Sequence, residues 1–313
     1  MVNLRNFIEK INTGEKRLPD IRYDEPMFKH TTFKVGGNAD VFIRPPKDIF
    51  LSYAAKLLKA AKGEGIPVFI LGAGANILVS DRGIRGIVLD TGSFNGIEKS
   101  EKPSLSVTVD SGALVDDLVS SLADMGLSGL EFLAGLPASV GGAVWMNARC
   151  YEKSVSDVLV ETEILNENFE REIIPFNGEH FAYKKSPFQN REVLILKARF
   201  AVESGEPREM LKEMTRYRRD RDEKGHYRFP SAGCFFKNDR AFNDPTGKII
   251  DKLKLCGLSI GGARVAPWHG NIIVNTGNAA AKDIRLLAEE VAKRVKEEHG
   301  FELQSEILFA GDW

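Results

Sequence analysis

The sequence is poor in the residues from which metal sites and disulfide frameworks are built. It has three cysteines, Cys150, Cys234 and Cys256, an odd number at wide spacing, and this pattern fits neither zinc ligands nor paired cysteines. Its five histidines are scattered, and none forms a His-x-x-x-His pair. We therefore predict free thiols, no disulfide framework and no bound metal.

Long apolar runs and an excess of charge of one sign are missing too. No stretch reaches about 18 apolar residues, and the first ten residues lack a continuous apolar core, so neither a membrane span nor a secretory signal is predicted. The formal net charge is -1, which argues against a nucleic-acid partner held by bulk charge. These absences predict a cytoplasmic globular protein with no nucleic-acid partner and no membrane insertion.

The length of 313 residues predicts two or three folded units of roughly 100 to 150 residues each. The best candidate for a linker is the charged segment 216–223, which follows a helical pattern that begins at Pro207. Two interpretations of its arginines stay open: a solvated helix end, or a cluster that binds phosphate through bidentate hydrogen bonds. The charged residues are Arg216, Arg218, Arg219 and Arg221, interleaved with Asp220, Asp222 and Glu223.

Apolar periodicity predicts a chain that alternates between helices and strands. Helices are expected from Asp48 to the stop at Gly63, over 114–125, and around the apolar face between 284 and 295. Strands are expected at 68–71, 77–79, 86–90, 105–110, 158–164, 193–200, 271–275 and 303–309.

The segment 129–147 is rich in glycine and other small residues. Its four glycines, at positions 129, 135, 141 and 142, let the backbone turn sharply and approach a ligand closely. We expect an open loop with several free amide donors, and backbone amides hold phosphate oxygens without lysine. The segment is therefore predicted to bind a flat, charged ligand; the alternative is a tight turn between two core segments.

A second glycine loop, Gly72-Ala73-Gly74-Ala75-Asn76, lies between two short apolar runs. It is not a dinucleotide fingerprint, because Ile77 stands where the third glycine belongs and no helix is predicted to follow. The Walker pattern fails as well, since Ile249 follows Gly247-Lys248 where a Ser or Thr should bind magnesium. Taken alone, this loop favours a plain turn; two such loops in one chain favour phosphate binding.

Five motifs spread over nearly the whole chain resemble those of one enzyme family. They are His-Thr-Thr-Phe-Lys-Val-Gly-Gly at 30–37, Gly-x-Gly-x-Asn at 72–76, Gly-Leu-Glu-Phe-x-x-Gly-x-Pro-x-x-Val-Gly-Gly-Ala at 129–143, Pro-Ser-Ala-Gly-Cys-Phe-Phe-Lys-Asn at 230–238 and Gly-Ala-Arg-Val at 262–265. Together they resemble the UDP-N-acetylenolpyruvoylglucosamine reductases, also called UDP-N-acetylmuramate dehydrogenases (MurB).

The resemblance implies an α+β fold of the vanillyl-alcohol-oxidase (PCMH) type, in which two subdomains clasp FAD and a third domain covers the substrate. On this chain the implied division is FAD subdomain 1 at 1–90, FAD subdomain 2 at 91–212 and a substrate-binding domain at 213–302. Residues 303–313 are a candidate C-terminal strand that returns to the first subdomain.

The same resemblance implies binding residues. The two glycine loops are implied to bind the FAD diphosphate through Gly72, Ala73, Gly74, Ala75, Asn76, Ile77, Gly135, Ser139, Val140, Gly141, Gly142 and Ala143. Residues implied to bind substrate are Tyr183, Lys184, Arg221 and Asn238. The implied small molecules are FAD, NADPH as co-substrate and a UDP-sugar, and we expect a monomer.

The implied reaction has two halves: NADPH reduces the flavin, and the flavin N5 then passes a hydride to C3 of an enolpyruvyl ether. C2 needs one proton, which the family takes from a serine at the position of Cys234. A thiol has a reference pKa near 8.5 and gives up its proton more readily than an alcohol, so this departure keeps the role. Glu306 is implied to polarise the enolpyruvyl carboxylate or to assist protonation.

The family's Tyr-Arg-x-Ser motif falls on Tyr183 to Ser186, with Lys184 in place of the arginine. A lysine keeps the positive charge that stabilises an enolate but loses the bidentate fork. Arg149 is a further departure, in Asn-Ala-Arg-Cys-Tyr at 147–151. Two alternatives stay open: another flavin oxidase of the same fold that acts on a sugar or alcohol, or a catalytically inactive nucleotide-sugar-binding protein.

Overall fold

A computed structural model describes residues 3–102 and 104–313. In this part of the chain the α-helices are α1 (Leu4–Asn12), α2 (Phe50–Gly63), α3 (Val115–Asp124), α4 (Val140–Met146), α5 (Pro207–Glu223), α6 (Thr246–Lys252) and α7 (Ala281–His299). The strands are β1 (Asp20–Pro26), β2 (Asn38–Arg44), β3 (Val68–Leu71), β4 (Ile77–Val79), β5 (Ile84–Asp90), β6 (Ile97–Ser100), β7 (Ser106–Asp110), β8 (Leu127–Ser128), β9 (Arg149–Cys150), β10 (Lys153–Ser154), β11 (Leu159–Leu165), β12 (Arg171–Pro175), β13 (Leu194–Ala201), β14 (Glu203–Ser204), β15 (Ser259–Ile260), β16 (Ala263–Val265), β17 (Ile273–Asn275) and β18 (Leu308–Ala310).

The described residues form two compact units, and each unit collects separate stretches of the chain. Unit 1 consists of Met1–Tyr23, Val41–Ala73 and Gly86–Arg218, as far as these are described, and unit 2 of Asp24–Asp40, Gly74–Arg85 and Arg219–Trp313. The last change from one unit to the other falls inside the charged segment 216–223. That segment is the end of helix α5, so the predicted linker is helical.

Unit 1 contains two sheets with helices packed on them. Strands β1, β2, β5 and β3 form, in that order, a four-stranded sheet that lies largely in this unit, and β3 runs parallel to β5. Helices α1 and α2 cover it with buried side chains such as Ile8 and Leu57. The second sheet is antiparallel, in the order β12-β11-β13-β7-β6, and α3 and α4 add Leu118 and Val144 to its core.

Unit 2 is built around the long helix α7. Its apolar face, with Ile284, Leu287 and Val291 at most 1% exposed, shares one core with the antiparallel sheet β15-β16-β17. The face is the one that the sequence predicts. At the C-terminus β18 pairs parallel with β4, with Leu308 opposite Ile77.

The predicted elements are confirmed with small shifts of their ends, except at the C-terminus. Helix α2 begins at Phe50 after a single 3-10 turn, and α3 covers 115–124 of the predicted 114–125. The predicted strand at 303–309 is too long, because only its last residues pair and β18 is Leu308–Ala310. Residues 304–306 instead lie along the segment 235–237 as separate backbone contacts. The α+β class is confirmed, and the three-domain division stays a prediction.

None of the described helices combines the length and the apolar character needed to cross a bilayer. Within the described residues, no three His, Cys, Asp or Glu side chains are grouped so that they could hold a metal ion. The three cysteines are not in disulfides.

Candidate functional site

The loop 72–76 connects β3 to β4, two strands that belong to different sheets. Its shape requires glycine at two positions. Gly74 has a φ of +64°, and a Cβ there would overlap the carbonyl oxygen of His30, while a Cβ on Gly72 would overlap the hydroxyl of Ser139. The backbone therefore lies closer to its neighbours than any side chain allows.

The amides of this loop are unused. The carbonyl of Gly74 accepts a hydrogen bond from the amide of Thr32 at 3.1 Å, but the amides of residues 72–76 donate to no acceptor among residues 3–102 and 104–313. Gly74 is buried and its neighbours are half-buried. Because buried amides are rarely left without an acceptor, this row of donors indicates an anion from outside the chain.

The segment 129–147 differs from its prediction. Among its amides, Gly135 donates to the carboxylate of Asp116 at 2.6 Å, Val140 to Ala113, Gly141 to Ser111 and Gly142 to the hydroxyl of Ser139. The expectation of several free donors is therefore wrong for most of this segment. The chain needs the small residues for packing, since a Cβ on Gly141 would come within 2.8 Å of the Ser111 Cβ.

Two polar groups near α4 nevertheless lack a partner. The amide of Ser139, a residue 3% exposed, donates to none of the described residues, and the buried hydroxyl of Ser111 has no hydrogen-bond partner there. Ser139 is the N-cap of α4 and lies against Gly72. Ser139 thus places an unused amide beside Gly72.

The turn that carries Tyr183 and Lys184 is fastened to the C-terminal end of α4. The hydroxyl of Ser186 donates to the carbonyl of Trp145 at 2.6 Å, and the side-chain amide of Asn147 donates to the carbonyl of Ala182 at 3.0 Å. Lys184 is half-buried, has a φ of +56°, and holds its Nζ 6.0 Å from the centre of the Tyr183 ring. The turn that carries Lys184 is therefore attached to the C-terminal end of α4, the helix whose N-terminus Ser139 caps.

In unit 2, Cys234 and Glu306 lie on neighbouring backbone segments. Cys234 pairs with Ile272 in an isolated bridge, and the next residue, Phe235, accepts a hydrogen bond from the amide of Glu306 at 2.8 Å. The side chain of Asn76 donates to the carbonyl of Glu306 at 2.9 Å. Cys234 and Glu306 are both half-buried. Three of the residues singled out in the sequence are thus neighbours in this unit.

The arginine cluster of α5 resolves into two kinds of residue. Three arginines have carboxylate partners: Arg216 with Glu213, Arg218 with Asp116 and Arg219 with Glu223. Arg221 instead donates to the hydroxyl of Tyr227 at 3.1 Å, and no carboxylate within the described residues pairs with it. The solvated-helix interpretation therefore holds for Arg216 and Arg219, while the half-buried Arg218 ties α5 to α3 through Asp116 and Ser120. Phosphate binding stays a prediction for Arg221.

Asn238 has a structural role. Its side-chain oxygen accepts from the amide of Thr246 at 2.9 Å, at the start of α6. Asn238 is exposed, and its predicted contact with substrate stays a prediction.

Sequence reasoning missed the pair His226 and His269, whose rings lie 6.2 Å apart in unit 2. Burial lowers the pKa of His226 to about 4, and the positive charges of Arg221, His269 and Lys224 add to the shift. The pKa of His269 is also lowered, mainly by burial. Neither histidine belongs to a recognisable motif by itself, and no signal in the sequence brings them together.

The comparisons with known proteins identify first the class and then the family. A family model described as an FAD binding domain matches residues 53–169, which include both glycine segments. This match defines the class of the protein, a flavoprotein that binds FAD. A second model, described as the C-terminal domain of UDP-N-acetylenolpyruvoylglucosamine reductase, matches residues 225–310.

Relatives named UDP-N-acetylenolpyruvoylglucosamine reductase match almost the full length. The protein from Treponema denticola is 41% identical over 307 residues, 94% of each chain, and the one from Borreliella burgdorferi is 39% identical over 310 residues, 99% of this chain and 98% of its own. The crystal structure of the reductase from Thermus caldophilus superposes with a TM-score of 0.75 at 31% identity, covering 93% of this chain and 98% of that one. The chain belongs to the UDP-N-acetylenolpyruvoylglucosamine reductase family.

Membership makes the protein an FAD-dependent oxidoreductase of peptidoglycan precursor synthesis, in a family that uses NADPH as co-substrate. The residues present fit FAD. A diphosphate needs several amide donors with no side chain in front of them, and the loop 72–76 offers such donors at a place where a Cβ on Gly72 or Gly74 would have no room.

Proposed function

We propose that this chain reduces UDP-N-acetylglucosamine enolpyruvate to UDP-N-acetylmuramate with NADPH. FAD, when bound, supplies the hydride chemistry, accepting a hydride from NADPH and delivering it to C3 of the enolpyruvyl group. The single observation that supports this assignment most is the row of unused amides at 72–76, within a chain that matches the family from end to end.

We assign the binding of the FAD diphosphate to the two glycine segments, through residues 72–77, Gly135 and residues 139–143. The amides of 72–76 are the donors, and Ser139 supplies one more at the start of α4. A different role is proposed for Gly135, Gly141 and Gly142, because their amides donate to acceptors within the fold. Their lack of a side chain lets the backbone of the segment approach the cofactor closely.

Cys234 is the proposed proton donor. Addition of a hydride to C3 leaves an electron pair at C2, and transfer of the thiol proton to C2 completes the product and leaves a thiolate, which takes a proton from water before the next cycle. Positioned acids of this kind contribute about 10² to 10⁴ in rate. Support comes from the family resemblance and from the fixed backbone next to this half-buried residue, since Phe235 is hydrogen-bonded to Asn271 on one edge and to Glu306 on the other.

Glu306 and Lys184 are assigned to the enolpyruvyl carboxylate and the charge that develops on it. Glu306 is held beside the Cys234 segment by its own amide and by Asn76, and we assign it to polarise the substrate carboxylate or to assist protonation. Lys184 supplies the positive charge that an enolate needs. Tyr183, Arg221 and Asn238 are the proposed contacts to the rest of the UDP-sugar.

The cytoplasm is the proposed compartment, since the three cysteines are not in disulfides and free thiols persist under reducing conditions. A monomer and the three-part division at 1–90, 91–212 and 213–302 remain proposals.

Steady-state consumption of NADPH, measured with and without the enolpyruvyl sugar, tests the function. We expect consumption that depends on the sugar and yields UDP-N-acetylmuramate. A flavin oxidase of sugars or alcohols would consume oxygen and make little use of NADPH, and an inactive binding protein would bind the sugar without consuming NADPH.

A further inference from the structure

Asn271 makes an unusual set of contacts with the residues that follow Cys234. Its side chain is 2% exposed. The side-chain nitrogen donates to the carbonyl of Phe236 at 2.7 Å, and the side-chain oxygen accepts from the amide of Phe236 at 2.9 Å. One amide side chain thus bonds both backbone groups of a single residue, as a neighbouring strand would.

The backbone of Asn271 extends the same contact. Its carbonyl accepts from the amide of Phe235 at 2.7 Å, and its own amide donates to Nδ1 of His269 at 3.2 Å. The next residue, Ile272, pairs with Cys234 itself. Phe235 and Phe236 are therefore both hydrogen-bonded to Asn271, and Cys234 lies opposite Ile272, although no regular strand runs through residues 234–236.

The opposite edge of the segment is held by the stretch that contains Glu306. Glu306 donates to the carbonyl of Phe235 at 2.8 Å, and the amide of Lys237 donates to the carbonyl of Gln304 at 2.9 Å. The position of Cys234 relative to Glu306 therefore depends on how residues 235–237 lie between two neighbours. On the 271 side, the backbone of Asn271 bonds Phe235 and its side chain bonds Phe236.

We propose that Asn271 is a positioning residue for proton transfer, acting through the backbone of Phe235 and Phe236 to set the position of the Cys234 thiol beside Glu306. The inference rests on the proposed role of Cys234 as proton donor. Only an amide of this length offers a donor and an acceptor to one backbone residue; an aspartate in its place accepts but cannot donate, and leaves the buried carbonyl of Phe236 unsatisfied.

The test compares Asn271→Asp with Asn275→Asp. Asn275 is a matched control, a buried asparagine of the same unit, 4% exposed. Its side chain donates to Phe33 and accepts from Gly277 and Ala279, and it makes no hydrogen bond to residues 234–237. Both changes place a carboxylate at a buried amide position, so a general loss of stability should affect them alike.

Three quantities are measured on the FAD-loaded protein: the rate of flavin reduction by NADPH, the rate of flavin reoxidation by the enolpyruvyl sugar at saturation, and the rate at which a small thiol reagent traps Cys234. Trapping uses a background with Cys150→Ser and Cys256→Ser, so that one thiol remains. Since a misplacement of about 1 Å can cost roughly 10²-fold in rate, we expect Asn271→Asp to slow reoxidation about tenfold or more. We expect reduction by NADPH to stay within about twofold, and trapping of Cys234 to change.

Equal losses in Asn271→Asp and Asn275→Asp, or an unchanged rate of reoxidation in Asn271→Asp, would overturn the proposal. If Asn271→Asp does not fold, the same three rates are measured on Asn271→Ser instead. Turnover retained by Cys234→Ala would remove the thiol from the reaction; the trapping rate, together with hydrogen exchange at the Phe236 amide, would still show whether Asn271 holds the segment. The two failures are thus told apart.

Discussion

At position 234 a thiol stands where the family resemblance implies a serine hydroxyl. The substitution keeps an acidic proton and adds a nucleophilic sulfur, and the backbone that follows it, at Phe235 and Phe236, is fixed by hydrogen bonds. The residue type could be read from the motif, but its neighbours at 271 and 306 are distant in sequence, and only the fold brings them to it.

Replacement of Cys234 by alanine should separate the two half-reactions. We expect NADPH to reduce the flavin at an unchanged rate, because that step needs no acid, and turnover of the enolpyruvyl sugar to fall by about 10² to 10⁴. Cys234→Ser should retain more of the turnover. Rapid-mixing absorbance of the flavin measures both steps, and Cys256→Ala, at a half-buried cysteine that contacts Asp251, is the control. Full turnover by Cys234→Ala would end this assignment.

The proposed role of the Lys184 charge can be tested with the neighbouring lysine, Lys185, as a control. Lys184→Ala should reduce turnover about 10- to 100-fold, since a charge-assisted hydrogen bond contributes about 1.5 to 3 kcal/mol, and Lys184→Arg should be tolerated. The neighbouring Lys185 is exposed, and Lys185→Ala should leave turnover unchanged. If the two alanine variants behave alike, Lys184 belongs to a solvated turn.

At the scale of elements, the sequence predicts the loop 72–76 and the segment 129–147 but not which of their amides find acceptors inside the fold. The longer, more glycine-rich segment uses most of its amides inside the fold, while the shorter loop, which alone favours a plain turn, leaves its amides unused. Glycine content reports freedom of the backbone. It does not report which amides find acceptors, because those acceptors come from Asp116, Ser111 and Ala113, whose positions depend on tertiary packing.

Gly74→Ala should weaken FAD binding without unfolding the protein. A Cβ there would overlap the His30 carbonyl in a backbone conformation with positive φ. Strain of about 1 to 3 kcal/mol corresponds to roughly a tenfold to hundredfold loss of affinity. Titration of the apoprotein with FAD, followed by flavin fluorescence, gives the dissociation constant. Gly63→Ala, at the end of α2 with open space around it, is the control, and equal affinities for both variants would show that the loop does not hold the cofactor.

At the scale of the whole molecule, the periodic elements are predictable and their assembly is not. The apolar face of α7 and the strands of the antiparallel sheet in unit 1 follow from their patterns. The interleaved make-up of the two units, which exchange the chain at residues 23, 40, 73, 85 and 218, has no local signal, since three of these changes fall inside the strands β1, β2 and β5 and one falls inside helix α5. The short pairing of β18 with β4 joins residues more than two hundred positions apart.

Stability should depend on pH through the two half-buried histidines of unit 2, His226 and His269. His226 has its pKa lowered from 6.5 to about 4, so the unfolded chain binds more protons between these values. The contribution of the neutral His226 to the free energy of unfolding is fully present above about pH 6.5 and is lost as the pH falls toward about 4. At about 1.4 kcal/mol per pKa unit the loss for His226 is at most roughly 3 kcal/mol.

Urea unfolding of the FAD-saturated protein near pH 7.5 and near pH 5 measures this dependence. His226→Gln should flatten it, leaving the contribution of His269, and His180→Gln, at an exposed histidine, should not. The paired carboxylates Glu167 and Asp244, with pKa values lowered to about 2, lose their contribution only at lower pH. If His226→Gln leaves the pH dependence of the free energy of unfolding unchanged, that dependence belongs to other groups.

The most direct test of the proposed function is a single turnover without oxygen. The FAD-loaded protein is mixed with one equivalent of NADPH and then with the enolpyruvyl sugar, while the absorbance of the flavin is followed. We predict that NADPH bleaches the flavin, that the sugar restores its colour, and that one UDP-N-acetylmuramate is formed per flavin. A flavin that NADPH cannot bleach, or whose colour returns only when oxygen is admitted, would contradict the account.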